Sequence, residues 1–234
     1  MYAALAASAN VLGAAAITSR KTWSVRALEV MVAFSAGFMI SVALLDLIPD
    51  SLSTRGEGAA VVILAGYLLV HLTQHTLAPH FHFGEETHHV TKAVSFSALA
   101  GLLLHTFVDG VAIVSAFAVT PALGMLVFLA ILLHKLPEGL AISSLFLAAG
   151  ESRGRALAAG AALAIATLAG ALLTQQLGVL ASYGLPLAAG VALYVGASNL
   201  VPEFQAKKGW HLPLSFFGGC ALYFVTRRFL GAGF

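Results

Sequence analysis

The sequence predicts an all-α integral membrane protein with eight transmembrane helices in one bundle. Of its 234 residues, 59% are hydrophobic and only 9% are Asp, Glu, Lys or Arg, against about 25% charged residues in an ordinary soluble domain. So few charges would not cover the surface of a soluble domain, which excludes a secreted domain or a nucleic-acid binder and makes the lipid bilayer the solvent. Stretches such as 156–173 are apolar on every side, as in a membrane helix, whereas strands of a membrane barrel alternate.

The length of the chain leaves room for eight spans and short loops, because one helix crosses the bilayer with about 20 residues. We predict spans over residues 2–18, 27–49, 59–77, 93–117, 122–148, 155–178, 185–203 and 211–229. Residues 1–234 then form a single transmembrane domain. A His-rich loop over residues 78–92 connects spans three and four.

The charges of the loops predict the orientation, because cytosolic loops carry an excess of Lys and Arg. With the N-terminus outside, eight cations fall on the cytosolic side: Arg20, Lys21, Arg26, Lys92, Arg153, Arg155, Lys207 and Lys208. Three fall on the outer side: Arg55, Arg227 and Arg228. We therefore predict a multi-pass protein with both termini outside, which requires an even number of spans. The expected location is a bacterial inner membrane.

An internal repeat relates the second and seventh spans. AGFMISVALLDLIPD at 36–50 and AGVALYVGASNLVPE at 189–203 both begin with Ala-Gly and end with two hydrophobic residues, Pro and an acid. Both place a carboxylate or amide at the same position, as Asp46 and Asn199. Span two runs outward and span seven inward, so spans 1–3 and 6–8 form an inverted repeat around central spans 4 and 5. Inverted repeats are typical of transporters.

The central spans carry two copies of one polar motif, HTFVDG at 105–110 and HKLPEG at 134–139. In each copy, a His and a carboxylate four residues later lie on one face of a helix. Ionisable groups are costly at membrane depth, and two neighbouring carboxylates repel each other unless a cation lies between them. Imidazole and carboxylate ligands suit Zn(II), Fe(II), Mn(II) or Co(II). The predicted metal ligands are His105, Asp109, His134 and Glu138.

Pro137 lies within the second motif. Because proline lacks a backbone N–H, it frees the carbonyl of Leu133 one turn earlier. We therefore expect a break in this helix, which membrane proteins tolerate where the backbone lines a cavity.

At these residues the sequence resembles the ZIP (Zrt/Irt-like) family of divalent metal transporters. HTFVDG at 105–110 is similar to the family's span-four motif, and HKLPEG at 134–139 to its His-x-x-Pro-Glu-Gly motif in span five. The stretches 193–203 and 44–49 resemble spans seven and two. The resemblance implies eight spans, outside termini, a pore between spans four and five, and passive or ion-coupled movement of a metal into the cytosol. Zn is the first candidate, with Fe, Mn, Cd and Co as alternatives.

The sequence departs from the family at a second metal position. Some members hold two metals side by side, which the resemblance links to a polar residue at position 106, a carboxylate or amide at 135 and a Glu in span six. This chain has Thr106, Lys135 and Thr167 at these positions. We therefore predict one metal, with the Lys135 ammonium in place of a second cation and paired with Asp109 or Glu138.

Three polar or soft residues outside the central spans are secondary candidates. Met39 could offer a soft thioether ligand, although a lone Met is more often a core residue. Asp46 and Asn199 could pass the ion along the pathway or orient its ligands, or they could simply join helices.

A cluster of histidines is the other candidate metal-binding segment. It comprises His71, His75, His80, His82, His88 and His89. His-rich tracts bind metals, so this segment could take ions that leave the pore or sense cytosolic metal. A solvated loop without a metal function is the alternative.

Two other function classes fit a membrane protein with buried ionisable groups. An intramembrane metalloprotease commonly uses H-E-x-x-H on one helix, and this pattern does not occur here. A proton-coupled carrier of an organic substrate would use His and Asp as a proton relay, which the paired ligand motifs disfavour. The predicted partners are the lipid bilayer and divalent metal ions, and a homodimer is compatible with the sequence.

Overall fold

The structure is a computed structural model that describes residues 1–19, 25–76, 92–205, 207 and 209–231. These residues form helices joined by short connections, and the described part of the chain contains no β-strand. The helices are α1 (Tyr2–Thr18), α2 (Val25–Val42), α3 (Ile48–Arg55), α4 (Glu57–Thr76), α5 (Lys92–Val119), α6 (Pro121–Ala148), α7 (Arg153–Gln176), α8 (Gly178–Tyr194), α9 (Pro202–Gln205) and α10 (His211–Phe229).

Five helical stretches are long and apolar enough to cross a membrane, within the residues that the structure describes. They are Arg26–Arg55, Lys92–Val119, Pro121–Ala148, Arg153–Gln176 and Gly178–Leu200. Two shorter apolar helices cover Tyr2–Thr18 and Glu57–Thr73. The predicted class, an all-α integral membrane protein, is confirmed.

Reciprocal glycines bring α5 against α7 and α1 against α6. A Cβ at Gly110 of α5 would collide with the carbonyl oxygen of Thr167 on α7, and one at Gly170 of α7 would collide with the carbonyl of Phe107 on α5. In the same way, Gly139 of α6 lies against the carbonyl of Asn10 on α1. Small residues let helix backbones approach closely in membranes, so both central helices, α5 and α6, are held tightly by an outer helix.

The remaining long helices pair in the same manner. Gly37 of α2 lies against the carbonyl of Phe216 on α10, and Gly190 of α8 lies against the carbonyl of Ile63 on α4. The glycines of the repeated Ala-Gly dipeptides therefore both mediate close helix packing.

Substituting Gly190 by Ala is expected to destabilise the protein by about 1–3 kcal/mol, because overpacking forces backbones apart. The measurement is denaturant unfolding of the purified protein in detergent. Gly58→Ala is the matched control on α4, since a Cβ there would meet no atom within 4 Å. Equal stability of the two variants would contradict the close approach of α4 and α8.

Two π-helical segments interrupt the α-helices at related places. Ala43–Leu47 joins α2 to α3, and Val195–Leu200 follows α8. A proline lies two residues after the end of each segment, as Pro49 and Pro202; neither proline can donate a backbone hydrogen bond to the preceding turn. π-Bulges are frequent at functional sites, and these two segments contain the candidate residues Asp46 and Asn199.

Pro137 leaves α6 continuous, so the expected break in this helix is wrong. The carbonyl that the proline frees, that of Leu133, has found another donor. It accepts a hydrogen bond from the hydroxyl of Ser35 on α2 at 2.9 Å. Because this bond replaces the missing backbone donor, the helix tolerates its proline without breaking.

An ion cluster outside the spans joins the ends of α5 and α7. The carboxylate of Glu151, between α6 and α7, pairs with Lys92 at 3.2 Å and with Arg155. The hydrogen bond from Arg155 is the main reason that the pKa of Glu151 is lowered from its ordinary value. The cluster therefore stays charged at neutral pH and links the start of α5 to the start of α7.

Candidate metal centre

The two central motifs bring four metal-ligating side chains together between α5 and α6. His105, Asp109, His134 and Glu138 are all buried, and one ligand atom from each lies within 4.8 Å of the others. The i, i+4 spacing places His105 and Asp109 on one face of α5, and it does the same for the second pair on α6. Each helix thus contributes one imidazole and one carboxylate.

Asp109 lies between the two imidazole rings. Its Oδ2 atom is 3.4 Å from Nε2 of His105 and 3.4 Å from Nε2 of His134. Nδ1 of His134 is 2.8 Å from the carbonyl oxygen of Ala130, which can only accept a hydrogen bond. A neutral ring that donates from Nδ1 to this carbonyl turns its Nε2 lone pair towards the centre, as a metal ligand requires.

Lys135 places a buried ammonium between the two carboxylates. Its Nζ atom is 2.7 Å from Oδ2 of Asp109 and 3.0 Å from Oε2 of Glu138, and the side chain is 0% exposed. Buried charges in a low-dielectric interior need such pairing. With both imidazoles neutral, the group of Lys135, Asp109 and Glu138 carries one net negative charge, which favours an incoming cation.

Two further side chains contact Glu138, and the sequence did not predict either contact. The amide Nδ2 of Asn10 on α1 donates to Oε2 at 3.3 Å. The Thr106 hydroxyl, which has one proton, lies 3.1 Å from Oε1 and 2.6 Å from the carbonyl oxygen of Leu102. Asn10 is the one amide of α1, a helix made mostly of apolar residues. A polar residue at membrane depth was the available signal.

Thr167 does not join this cluster. Its hydroxyl donates to the carbonyl of Leu163 on its own helix at 3.3 Å.

Met39 and Asp109 line the same cavity, whose other walls are apolar. Met39 is buried, and its cavity extends from the carboxylate of Asp109 towards the first π-helical segment. The remaining lining residues are Val42, Leu47, Val108, Ala112, Val127, Ala130, Ile131, Ala188, Val191 and Ala192. Met39 is thus the one residue of this lining with a soft donor atom, although it is not one of the four clustered residues.

Asp46 has a different partner from the four clustered ligands. Its Oδ1 atom lies 3.5 Å from Nη2 of Arg227 on α10, whose Nη1 donates to the Tyr223 hydroxyl at 3.1 Å. Asp46 is buried, so this ion pair ties the first π-helical segment to α10.

Replacing Arg227 by Met is expected to destabilise the protein by about 3–5 kcal/mol, because it leaves the carboxylate of Asp46 buried without a counter-charge. Unfolding in detergent measures the loss. The double variant with Asp46→Asn should recover much of it, since the amide carries no charge. An equal loss from Arg227→Met with and without Asp46→Asn would contradict the coupling.

The other secondary candidates that the structure describes are Asn199, His71 and His75. Asn199 is partly buried in the second π-helical segment, where the neighbouring Ser198 hydroxyl is 3.1 Å from that of Tyr67. His71 on α4 packs edge-on against Tyr194, with ring centroids 5.8 Å apart. His75 belongs to α4. The remaining histidines of the cluster, His80, His82, His88 and His89, lie outside the described residues.

A bundle of membrane-spanning helices with two imidazoles and two carboxylates at its centre is typical of a membrane transport protein for metal ions. Comparison with known proteins identifies the family. The model of the ZIP zinc transporter family matches residues 84–227. The zinc transporter GufA of Myxococcus xanthus is 37% identical over 174 residues, which cover 67% of this chain and 68% of the relative.

The chain therefore belongs to the ZIP family of zinc transporters. It is a multi-pass membrane transporter for divalent metal ions and not an enzyme. The alternative of an intramembrane metalloprotease is thereby set aside.

Proposed function

We propose that this protein carries Zn(II) into the cytosol through a single site formed by His105, Asp109, His134 and Glu138. The observation that carries the proposal is the convergence of these four ligand groups in a buried place between α5 and α6. Two nitrogens and two oxygens form a ligand set that suits Zn(II), which prefers four ligands. Fe(II), Mn(II), Cd(II) and Co(II) are the alternative substrates of the same site.

A single ion, rather than a pair, is the substrate load that we propose. The contacts of Lys135 with both carboxylates support this proposal, because its ammonium occupies the place beside Asp109 and Glu138 that a second cation would need. A second divalent ion there would meet a buried positive charge with no route to solvent.

We further propose eight spans, with spans 1–3 and 6–8 as inverted repeats around spans 4 and 5. The paired π-helical segments support the repeat, since they fall at matching positions of spans two and seven. The glycine contacts support it as well: span two packs on span eight as span seven packs on span three, and span five on span one as span four on span six. Such a repeat allows alternating access to a central site.

The orientation follows from the loop charges, with both termini outside and the His-rich loop at 78–92 in the cytosol of a bacterial cell. Met39 and the apolar cavity then lie on the outer side of the site, and Asn199 and His71 lie towards the inner side. In this arrangement the loop histidines receive ions that leave the site.

Transport into liposomes tests the proposed function. The purified protein is reconstituted with a metal-sensitive dye inside, and Zn(II), Fe(II), Mn(II), Cd(II) and Co(II) are each added outside. We expect flux that is saturable and fastest for Zn(II), while protein-free liposomes give the background. Background flux for every ion would contradict the proposal. One bound metal per chain, measured after the loop histidines are replaced by Gln, is the expected stoichiometry, and two would contradict the role of Lys135.

A further inference from the structure

We infer that Asn10 is a positioning residue of the metal centre: its amide holds one oxygen of Glu138 and so fixes how this carboxylate meets the ion. The inference rests on the proposed site. Asn10 lies on α1, outside both motifs, and is fully buried. Its Nδ2 atom is 3.3 Å from Oε2 of Glu138.

The two oxygens of Glu138 have different partners. Oε2 receives Asn10 and the ammonium of Lys135, which is 3.0 Å away. Oε1 lies 3.1 Å from the Thr106 hydroxyl, which is also 2.6 Å from the Leu102 carbonyl oxygen, and it faces Nε2 of His105 at 3.8 Å. Oε1 is therefore the oxygen on the imidazole side of the centre, and Asn10 holds the other oxygen away from it.

Helix packing alone does not require an amide at this position. The sequence Asn10-x-x-Gly13 on α1 corresponds to Thr167-x-x-Gly170 on α7, and both segments lie against the glycine that follows a ligand carboxylate. The Thr167 hydroxyl bonds to Leu163 on its own helix and not to a carboxylate. The equivalent close packing of α7 against α5 thus forms with a side chain that makes no hydrogen bond to the metal centre.

The amide of Asn10 also carries a cost that packing does not explain. Its Oδ1 atom is buried without a hydrogen-bond partner among the described residues, and an unpaired buried polar atom is unfavourable. In return, the neutral amide of Asn10 donates a hydrogen bond to the carboxylate of Glu138. The negative charge of the acceptor strengthens this bond. An incoming cation repels the Lys135 ammonium but not an amide, so Asn10 keeps hold of Oε2 when the ion arrives.

This hold has a consequence for selectivity. With Oε2 engaged, Glu138 offers the ion one oxygen, and the four clustered residues then supply four ligand atoms, the number that Zn(II) prefers. A freed carboxylate would offer both oxygens and raise the coordination number. Asn10 therefore favours ions that accept four ligands over ions that need more.

The test compares Asn10→Thr with Thr167→Val, its matched control at the corresponding position of α7. Both are made in full-length protein whose histidines 80, 82, 88 and 89 are replaced by Gln. Zn(II) affinity is measured by chelator competition, and the visible absorption of bound Co(II) reports the coordination number. We expect Asn10→Thr to lose about 10–100-fold in Zn(II) affinity, the usual effect of removing a group that orients a ligand, and to weaken the Co(II) bands. Thr167→Val should match the parent in both measurements.

Each outcome bears on a different claim. A parent that binds one Co(II), together with an unchanged affinity and spectrum in Asn10→Thr, would overturn the role of Asn10 and leave the proposed site intact. A parent that binds neither Zn(II) nor Co(II) would overturn the proposed site itself. Asn10→Ser is the second variant if Asn10→Thr does not fold, because the shorter hydroxyl fits the space and cannot reach Glu138. The same loss of affinity is expected of it.

Discussion

Zinc uptake by liposomes that contain the double variant His134→Ala, Glu138→Ala is expected to fall to the background of protein-free liposomes. The variant removes both ligands that α6 contributes to the centre. Four-ligand zinc sites bind with about 10–16 kcal/mol, or roughly 3 kcal/mol per ligand. Losing two ligands therefore weakens binding on the order of 10⁴-fold, since each 1.4 kcal/mol is a factor of about ten.

Folding of this double variant is expected, because the charges that remain are balanced. Lys135 keeps its partner Asp109 at 2.7 Å when Glu138 is removed. Ser144→Ala is the matched control on the same helix, since its hydroxyl bonds to the carbonyl of Leu140 within α6. Uptake at the control's rate by the double variant would mean that the ion crosses the protein elsewhere.

Replacing Lys135 by Met is expected to destabilise the metal-free protein and to tighten the binding of Zn(II). The ammonium is 0% exposed and bonds to both carboxylates, so its removal leaves two buried negative charges without a counter-ion. Breaking a buried ion pair in this way costs about 3–5 kcal/mol. A divalent ion then replaces the missing charge without competition from the ammonium.

The two effects of Lys135→Met are separated by measuring unfolding with a chelator and again with saturating Zn(II). Because a ligand stabilises the state that binds it, the shift of the unfolding midpoint on adding Zn(II) should be larger in the variant than in the parent. Lys207→Met is the control: it removes the Glu29–Lys207 pair, whose side chains are 19% and 29% exposed, and should cost at most about 1 kcal/mol. An unchanged midpoint in chelator would refute the role of Lys135 as a counter-ion.

The class of the protein and the four clustered residues could be predicted from the sequence because both depend on local patterns. The scarcity of charged residues indicates that the chain is surrounded by lipid. A spacing of four residues puts each histidine beside its carboxylate on any α-helix. The repeated motif also indicated that two such helices belong together. The ligand roles of these residues stay a proposal for the liposome experiment to test.

The effect of Pro137 on α6 could not be predicted from the neighbouring sequence. The missing N–H of a proline dictates that the carbonyl of Leu133 lacks its usual donor. Whether the helix then breaks depends on the surroundings of that carbonyl. Ser35, 98 positions earlier in the chain, supplies the donor, and α6 stays continuous.

Local sequence patterns were enough to predict that this chain lies in a membrane, which stretches are helical and apolar, and which acids stand one turn from a histidine. The partners of the buried acids depend on how distant helices pack: Glu138 meets the amide of Asn10, 128 positions away, and Asp46 meets the guanidinium of Arg227. The two kinds of feature differ in the sequence separation of the interactions that fix them. Helix formation and the i, i+4 spacing are fixed by bonds within one turn, whereas the partner of a buried charge is fixed by how whole helices pack.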